Sequence, residues 1–253
     1  MKIGFGFDKY PEEYDWIATF DEINGIEGEN IIQYSQDGNP INLCELTLYK
    51  CNLEEKEFVE KFNKESELYD RSGYLYVLSS EDKIVTSDFI SDIKIEKLFK
   101  DNFNSLNVVM RGWLLESSKG SYEITKRRLT SGIKKYGEWK DLPTEKVQGW
   151  LESALRLGTY GEDVSNKFVT INSNNIDSED KFYCALGEAV NGIGGYFGRG
   201  LGALDDCFNG GFGIKGNFTL EWLNHEIYKQ KFHEHFKGIL EVFSDNNKNI
   251  ILK

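Results

Sequence analysis

The sequence is poor in the residue types that cross-link a fold or hold a metal ion. Its 253 residues include only four cysteines, and no two of them are spaced as Cys-x-x-Cys. Four scattered thiols do not form a disulfide framework. We therefore expect small buried hydrophobic residues at these positions, with a redox or metal role as the alternative: Cys44, Cys51, Cys184 and Cys207. No metal site and no cofactor is expected.

The three histidines do not predict a metal site or a catalytic group. His233 and His235 are separated by one residue at the predicted start of a helix, where side chains two positions apart diverge. Together with His225 they are expected to be surface or capping histidines. No nucleophile-histidine-acid arrangement is recognisable in the sequence, so we do not predict an enzyme.

Long apolar segments and a leader are missing as well. No apolar run approaches the roughly 18 residues that cross a bilayer. The first residues, MKIGFGFDKYPEEYDW, have neither the basic start nor the apolar core of a signal peptide. These absences predict a cytoplasmic protein with no membrane partner.

Basic residues are outnumbered, since 30 Lys/Arg stand against 42 Asp/Glu and the formal net charge is −12 at pH 7. Nucleic-acid binding requires local positive charge, so we expect no nucleic-acid partner, and a basic protein fits better. Residues 165–253 hold eleven Asp/Glu against nine Lys/Arg, a balance of −2, whereas residues 1–164 hold 31 against 21, a balance of −10. Most of the acidity therefore lies in the N-terminal part.

Turn and periodicity signals predict two domains, with a boundary in GTYGEDVSN at residues 158–166. Residues 1–160 are predicted to form a β-rich α+β domain of no recognised family. Helices are predicted at residues 53–63 and 144–157, the second capped by Thr144. Strands are predicted at residues 2–7, 31–35, 41–51, 73–79, 83–95 and 106–115, with turns at Asp37-Gly38-Asn39-Pro40 and at 79–83.

Residues 166–253 predict a second domain of a different class. Short strands at 167–171, 218–222 and 249–252 are separated by segments whose apolar residues recur at helical spacing. Strands that alternate with helices imply a parallel sheet. We therefore predict an α/β domain with a three-stranded parallel sheet and helices packed on it.

One segment of this domain carries a specific motif. Residues 194–208 read GGYFGRGLGALDDCF, an aromatic pair and a glycine followed by a helix with the pattern Leu-x-Ala-Leu-x-Asp-Cys. This segment resembles the inhibitory segment of the barstar family. The flanking segments resemble the family's other strands and helices in the same order, over about residues 166–253: KFVTINSNNIDSEDKFYCALGEAV, LEWLNH and FKGILEVFSDNNKNIILK.

The resemblance implies a non-enzymatic ribonuclease inhibitor of the bacterial immunity or antitoxin type. Its partner would be a secreted or toxin-type basic ribonuclease similar to barnase. A ribonuclease cleft concentrates cations around the scissile phosphate, and a carboxylate on a rigid helix can imitate that phosphate. The family pattern implies that Asp206 is this carboxylate. The other partner-binding residues that it implies are Asp205, Tyr196, Gly198, Gly202 and Arg199.

The contact helix departs from the family pattern at two positions. An aspartate is expected where this chain has Gly202, and a tryptophan where it has Asp205. Residues 202 and 206 share a helix face, so one of two expected carboxylates is missing. Asp205, about a hundred degrees around the helix from Asp206, is a partial replacement. Arg199 and Gly200 also differ from the acid and amide of the pattern, which favours a relative of barnase as the partner.

Each site residue also has a purely structural interpretation. For Asp205 and Asp206 the alternative is that they are solvated acids favoured by the helix dipole. Tyr196 is either a contact or a packed aromatic, Phe197 favours packing, and Gly198 satisfies a backbone requirement. The alternative function is a non-inhibitory interaction module that keeps the barstar fold, with the acidic N-terminal domain binding another protein. A nucleotide-binding loop among the glycines at 192–202 is disfavoured because a helix precedes them.

Overall fold

Two units of structure, Met1–Ser117 and Ser118–Lys253, make up the chain. The computed structural model describes residues 1–7, 16–27, 31–34, 40–114 and 117–253. The first unit contains an antiparallel sheet, and the second contains a parallel sheet covered by helices. Both sheet types agree with the predicted fold classes.

The antiparallel sheet of the first unit has eight strands among the described residues. They are β1 (Lys2–Gly6), β2 (Ala18–Phe20), β3 (Glu22–Asn24), β4 (Ile31–Tyr34), β5 (Pro40–Tyr49), β6 (Gly73–Leu78), β7 (Ile84–Lys100) and β8 (Leu106–Leu114). The order across the sheet is β2-β1-β6-β7-β8-β5-β3, with β4 also paired to β5.

The two ends of this order are joined by one short segment. β2 pairs with β1, placing Phe20 opposite Ile3. β3 pairs with β5, placing Ile23 opposite Leu48. Only Asp21 separates the two strands, and its backbone N–H donates to Tyr49 O at 3.0 Å. One short segment, residues 18–24, therefore pairs with β1 at its start and with β5 at its end.

Helix α1 (Glu55–Leu68) packs on this sheet through an aromatic face. Phe58 and Phe62, one turn apart, are buried in α1. Phe62 stacks on Phe5 with ring centroids 6.1 Å apart, and Phe58 meets Phe20 edge-on at 6.2 Å. Burial of such side chains contributes about 1.5–3 kcal/mol each, so these rings are the main attachment of α1 to the sheet.

Most predicted elements of the first unit are confirmed. The strands that were not predicted are short. The helix predicted at 53–63 runs from Glu55 to Leu68, and the strand predicted at 83–95 extends to Lys100. The hairpin tip at 79–83 is confirmed by a hydrogen bond from Ser79 N to Lys83 O at 2.9 Å. β2 and β3 were not predicted. The turn at Asp37-Gly38-Asn39 lies outside the described residues.

The second unit begins with three helical segments that precede its sheet. They are α2 (Ser121–Thr130), a 3₁₀ helix (Glu138–Asp141) and α3 (Thr144–Arg156). Buried residues of α3 such as Trp150 and Leu151 belong to the same hydrophobic core as the sheet that follows. Residues 118–160, which were predicted to belong to the N-terminal domain, therefore pack with the second unit. The predicted domain boundary at residues 158–166 stays a prediction.

The start of α3 differs from the prediction. Pro143 occupies the N-cap position, and no side chain caps the helix there. Thr144 is the first helical residue, so its predicted capping role is wrong. At the other end Gly158 has a φ of 61°, and Thr159 N donates to Ala154 O at 3.0 Å. This left-handed glycine ends the helix, as the sequence predicted.

The parallel sheet consists of β9 (Val164–Asn172), β10 (Ile214–Leu223) and β11 (Asn249–Leu252), in the order β11-β10-β9. Both pairings are parallel. The connections contain a 3₁₀ helix (Ser173–Asn175) and the helices α4 (Glu179–Asn191), α5 (Leu201–Phe208), α6 (His225–Lys231) and α7 (His233–Asp245). The predicted three-stranded parallel sheet with helices packed on it is confirmed.

Inward-facing residues of the strands form the centre of this core. Phe218, Leu220 and Trp222 alternate along β10 and are each at most 1% exposed. The indole N–H of Trp222 donates to Ser173 Oγ at 2.7 Å, so its one polar atom is satisfied within the core. α5 packs on this layer, since Phe208 contacts the ring of Phe218 at 5.5 Å. The sheet thus gives α5 a rigid base.

Candidate functional site

Helix α5 presents one buried face and one exposed face. Leu204, Cys207 and Phe208 are buried in the core, while Gly202, Asp205 and Asp206 lie exposed on the other side. Leu201 packs against Gly238 of α7. The two residues are so close that a Cβ added at Gly238 would lie 2.5 Å from Leu201 Cδ1. The acids therefore project from a helix that is fixed on two sides.

Asp206 is the least engaged of the candidate residues. Its side chain is exposed, and its backbone oxygen accepts a bond from Asn209 N at 3.0 Å. Among the residues that the structure describes, its carboxylate has no hydrogen-bond or ion-pair partner. An exposed carboxylate on a rigid helix can accept hydrogen bonds from a cationic partner without first breaking internal ones.

Asp205, by contrast, is held by the last helix of the unit. Asn246 follows the end of α7, and its side-chain amide donates to Asp205 Oδ1 at 2.6 Å. The same amide nitrogen donates to Val242 O at 2.9 Å, which fixes the Asn246 side chain. Asp205 and Asp206 thus share the exposed side of α5, but only Asp205 is oriented by a neighbour.

Gly202 leaves open space on this face. A Cβ added there would meet nothing within 4 Å, and the residue lies inside α5 with no positive φ. The backbone and the surroundings therefore accept a side chain at this position. The acid that the family pattern places here is absent, but the structure has room for it.

Tyr196 is packed inside the unit rather than presented on its surface. It is 2% exposed, and its ring contacts Phe212 at 5.9 Å and Tyr160 at 6.5 Å. Burial raises the pKa of its hydroxyl above the usual range. Of the two interpretations left open, the structure favours packing. Phe197, with no exposed surface, contacts Phe208 and Phe218, which confirms its predicted core role.

Gly198 is required by the backbone. Its φ is 88°, and an added Cβ would lie 3.1 Å from Leu204 Cα. Burial raises the pKa of the Cys207 thiol to about 12. A hydrogen bond with the Gly198 backbone lowers this pKa, but its effect is smaller. Cys207 is therefore a buried, protonated thiol, as predicted. Cys44 and Cys184 are also buried, and Cys51 is partly buried.

Arg199 is held from outside the motif by α3. Its guanidinium Nη1 lies 3.7 Å from Glu152 Oε2, and its backbone oxygen accepts a bond from Gln148 Nε2 at 3.2 Å. The Arg199 side chain is 43% exposed. Gln148, Glu152 and Asn246 were not predicted from the sequence, because they lie far from the motif and no local pattern connects them to it.

The glycine-rich loop before α5 is also anchored by buried charged groups. Arg128 Nη1 donates to Gly194 O at 2.9 Å, and burial lowers the pKa of Arg128 to about 10. Glu188 Oε1 accepts from Gly194 N at 3.1 Å, and Glu188 Oε2 accepts from Trp139 Nε1 at 2.8 Å. Glu188 also lines a cleft of about 270 Å³, together with Tyr136 and Asn175.

His235 differs from the expected surface histidine. It lies half-buried between two tyrosines, with Nε2 2.8 Å from Tyr183 Oη and Nδ1 2.7 Å from Tyr228 Oη. Burial lowers the pKa of its imidazole, although nearby Glu179 and Asp180 act in the opposite direction. In the described part of the chain, no group of three or more His, Cys, Asp or Glu side chains is placed to hold a metal ion.

None of the described helices combines the length and apolar character needed to cross a bilayer. A comparison with protein-family models matches residues 166–250 to the family described as Barstar (barnase inhibitor). These residues form a barstar domain, which confirms the resemblance drawn from the motif. The match covers the C-terminal part of the chain. A comparison with curated proteins found no match.

Proposed function

We propose that this protein is an inhibitor of a basic ribonuclease, acting through the exposed face of α5 in its barstar domain. The observation that carries the proposal is Asp206, an exposed carboxylate on a fixed helix with no partner among the described residues. In this proposal Asp206 enters the phosphate-binding part of the ribonuclease cleft. The role is that of an immunity or antitoxin protein, without catalysis.

The physical basis is substitution of one anion for another. A ribonuclease binds the scissile phosphate with several cations, and a carboxylate held among them forms charge-assisted hydrogen bonds of the same kind. Because α5 is fixed by Phe208 in the core and by Leu201 against Gly238, little conformational freedom of its backbone is lost on binding. Removal of the acid would leave the cations of the cleft buried and unpaired.

The other candidate residues have separate roles in this proposal. Asp205, oriented by Asn246 at 2.6 Å, supplies a second negative charge beside Asp206. Gly202 leaves a gap on the same face that the partner can fill. Gly198 and Tyr196 act indirectly, since both are buried and shape the loop that leads into α5. Arg199 borders the face as a half-exposed cation.

Inhibition of RNA cleavage tests the proposal directly. The intact chain is titrated against barnase and against other ribonucleases of the barnase family, and the rate of RNA cleavage is measured. We expect at least one enzyme to be inhibited stoichiometrically, and we expect Asp206→Asn to weaken that inhibition by a factor of about 30 or more, since truncated charge pairs in such interfaces cost roughly 2–5 kcal/mol.

A matched control removes an acid elsewhere on the same domain. Glu241 lies exposed on α7, so Glu241→Gln changes the net charge by the same amount without altering α5. Its inhibition should equal that of the wild type. Equal inhibition by wild type and Asp206→Asn would remove Asp206 from the site.

The second candidate function is an interaction module without inhibition. The empty position at Gly202 favours it, because the chain lacks one acid of the family pattern. In that case the acidic N-terminal region carries the main binding function. Co-expression separates the two: rescue of cells that produce a barnase-family ribonuclease supports inhibition, whereas no rescue across the family supports the module.

A further inference from the structure

Arg199 is a cation placed at the border of a face that otherwise carries acids. It directly precedes Gly200, the N-cap residue of α5. Its side chain is 43% exposed, and Glu152 Oε2 is its one side-chain partner among the described residues, at 3.7 Å from Nη1. A guanidinium carries five N–H donors. Most of these donors therefore remain available to an acceptor on a partner.

Glu152 is itself held firmly. Its side chain is 7% exposed, and Oε2 accepts a hydrogen bond from Ser118 N at 2.9 Å. Its other oxygen, Oε1, accepts from Ser121 Oγ at 3.1 Å and pairs with Arg156 Nη2 at 2.7 Å. A carboxylate with this many donors has a fixed position, so it provides a fixed reference for the Arg199 side chain.

Gln148 fixes the Arg199 backbone in the same way. It lies one helical turn before Glu152 on α3, so the two side chains project from one face. Its Nε2 donates to Arg199 O at 3.2 Å and to Asp180 Oδ1 at 2.6 Å. The amide thus joins the start of α4 to the residue that leads into α5.

All of α3 lies before the matched residues 166–250. The contact face is consequently completed by a helix outside the family-matched region. Simple charge complementarity to a uniformly basic cleft does not explain Arg199, because two facing cations repel each other when the interface excludes water. A partner with a carboxylate beside its cationic cleft would match both signs.

We propose that Arg199 is a specificity-determining residue and that Glu152 is its positioning residue. Arg199 selects a ribonuclease that presents a carboxylate or another hydrogen-bond acceptor at the rim of its cationic cleft, and it disfavours one whose rim is uniformly basic. The inference rests on the proposed inhibitory function and names the charge pattern of the partner.

Charge reversal of the full chain tests the inference against a panel of barnase-family ribonucleases that differ in rim charge. For the enzyme that the wild type inhibits best, Arg199→Glu should weaken inhibition by about tenfold or more, and Arg199→Ala by less. For enzymes with a uniformly basic rim, Arg199→Glu should strengthen inhibition. The ranking of the panel should therefore invert.

A double-mutant cycle tests the role of Glu152. Glu152→Gln should shift the panel ranking in the wild-type background but not in the Arg199→Ala background, because Glu152 acts through Arg199. Glu145→Gln is the matched control, since Glu145 is an exposed acid in the first turn of the same helix and its replacement makes the same change of charge as Glu152→Gln. It should leave the ranking unchanged. A Glu152→Gln effect that persists without Arg199 would show a merely structural role.

The outcomes separate this inference from the proposed function. If Asp206→Asn abolishes inhibition while every Arg199 variant keeps the wild-type ranking, inhibition stands and the specificity role is wrong. If the wild-type chain inhibits no ribonuclease of the panel, both proposals fall.

Discussion

The side-chain amide of Asn246 donates a hydrogen bond to Asp205 Oδ1 at 2.6 Å and thereby connects the end of the last helix to an exposed acid of α5. The two residues are 41 positions apart in the sequence. The same amide nitrogen is fixed by Val242 O at 2.9 Å, so the contact orients one carboxylate, whereas the adjacent Asp206 carboxylate has no partner among the residues that the structure describes. This asymmetry distinguishes the two acids of the candidate site.

Replacement of Asn246 by aspartate should place two like charges against each other. We expect Asn246→Asp to lower the free energy of unfolding by roughly 0.5–1.5 kcal/mol, through the lost hydrogen bond and the added repulsion. Because the pair is exposed, concentrated salt should reduce the loss. Urea denaturation at low and high ionic strength measures both effects. Asn247→Asp is the control, because it adds the same charge at the adjacent residue. It should lower the free energy of unfolding by less, and the loss should depend less on salt.

Two glycines of the second unit have equal space but different backbones. Added Cβ atoms at Gly202 and at Gly211 would meet nothing within 4 Å, but Gly211 has a φ of 85°. Gly202→Ala should stabilise the protein by about 0.5–1 kcal/mol, because glycine is unfavourable in a helix. Gly211→Ala should destabilise the protein by about 1 kcal/mol, since the left-handed backbone conformation is unfavourable for alanine. Thermal unfolding of both variants against wild type gives the sign of each change.

Gly202→Asp adds a functional readout to the same position. The carboxylate would lie in the first turn of α5, where the helix dipole favours it, and on the face of Asp206. Under the proposed function we expect tighter inhibition of barnase itself, with Gly202→Asn as the uncharged control. Equal inhibition by both variants would show that charge at this position does not reach the partner.

The elements that the sequence predicted are those with strong local patterns. In β5, for example, Cys44, Leu46 and Leu48 alternate along the sequence and are buried. β2 and β3 have three residues each, too few for a pattern, and they exist because their backbones pair with distant strands. α2 was missed for a related reason, since only three of its ten residues are buried.

The candidate site divides in the same way. The motif identified α5 and its exposed acids because they are neighbours in sequence. The residues that hold the site come from elsewhere: Gln148 reaches Arg199 across 51 positions, and Asn246 reaches Asp205 across 41. Such contacts depend on how helices pack, which one sequence without its fold does not specify. Tyr196 shows the converse, since this aromatic residue of the motif is buried although the family pattern implied a partner contact.

The cysteines should be unreactive in the folded protein. Cys44, Cys184 and Cys207 are buried, and burial raises the pKa of the partly buried Cys51 to about 11. Because the thiolate is the reactive form, Ellman's reagent at neutral pH should modify the cysteines of the native chain slowly. In concentrated guanidinium chloride it should modify all four cysteines rapidly. Rapid modification of Cys207 in the native state would instead support the redox alternative.

His235 should make stability depend on pH. Burial lowers its pKa from 6.5 in the folded protein, so around that pH the unfolded chain binds more protons than the folded one. The free energy of unfolding should therefore be highest above pH 6.5 and should fall as the pH drops below that value. Asp180 acts in the opposite direction at acidic pH, because burial raises the pKa of its carboxyl.

Two histidine variants isolate this contribution. His235→Gln keeps a donor and an acceptor for Tyr183 and Tyr228 but does not titrate, so its free energy of unfolding should vary less between pH 7 and roughly pH 5.5. His233→Gln removes an exposed histidine of the same helix and should keep the wild-type slope. Urea denaturation at several pH values measures all three proteins. If His235→Gln retained the full slope, the pH dependence would have to come from groups other than this buried imidazole.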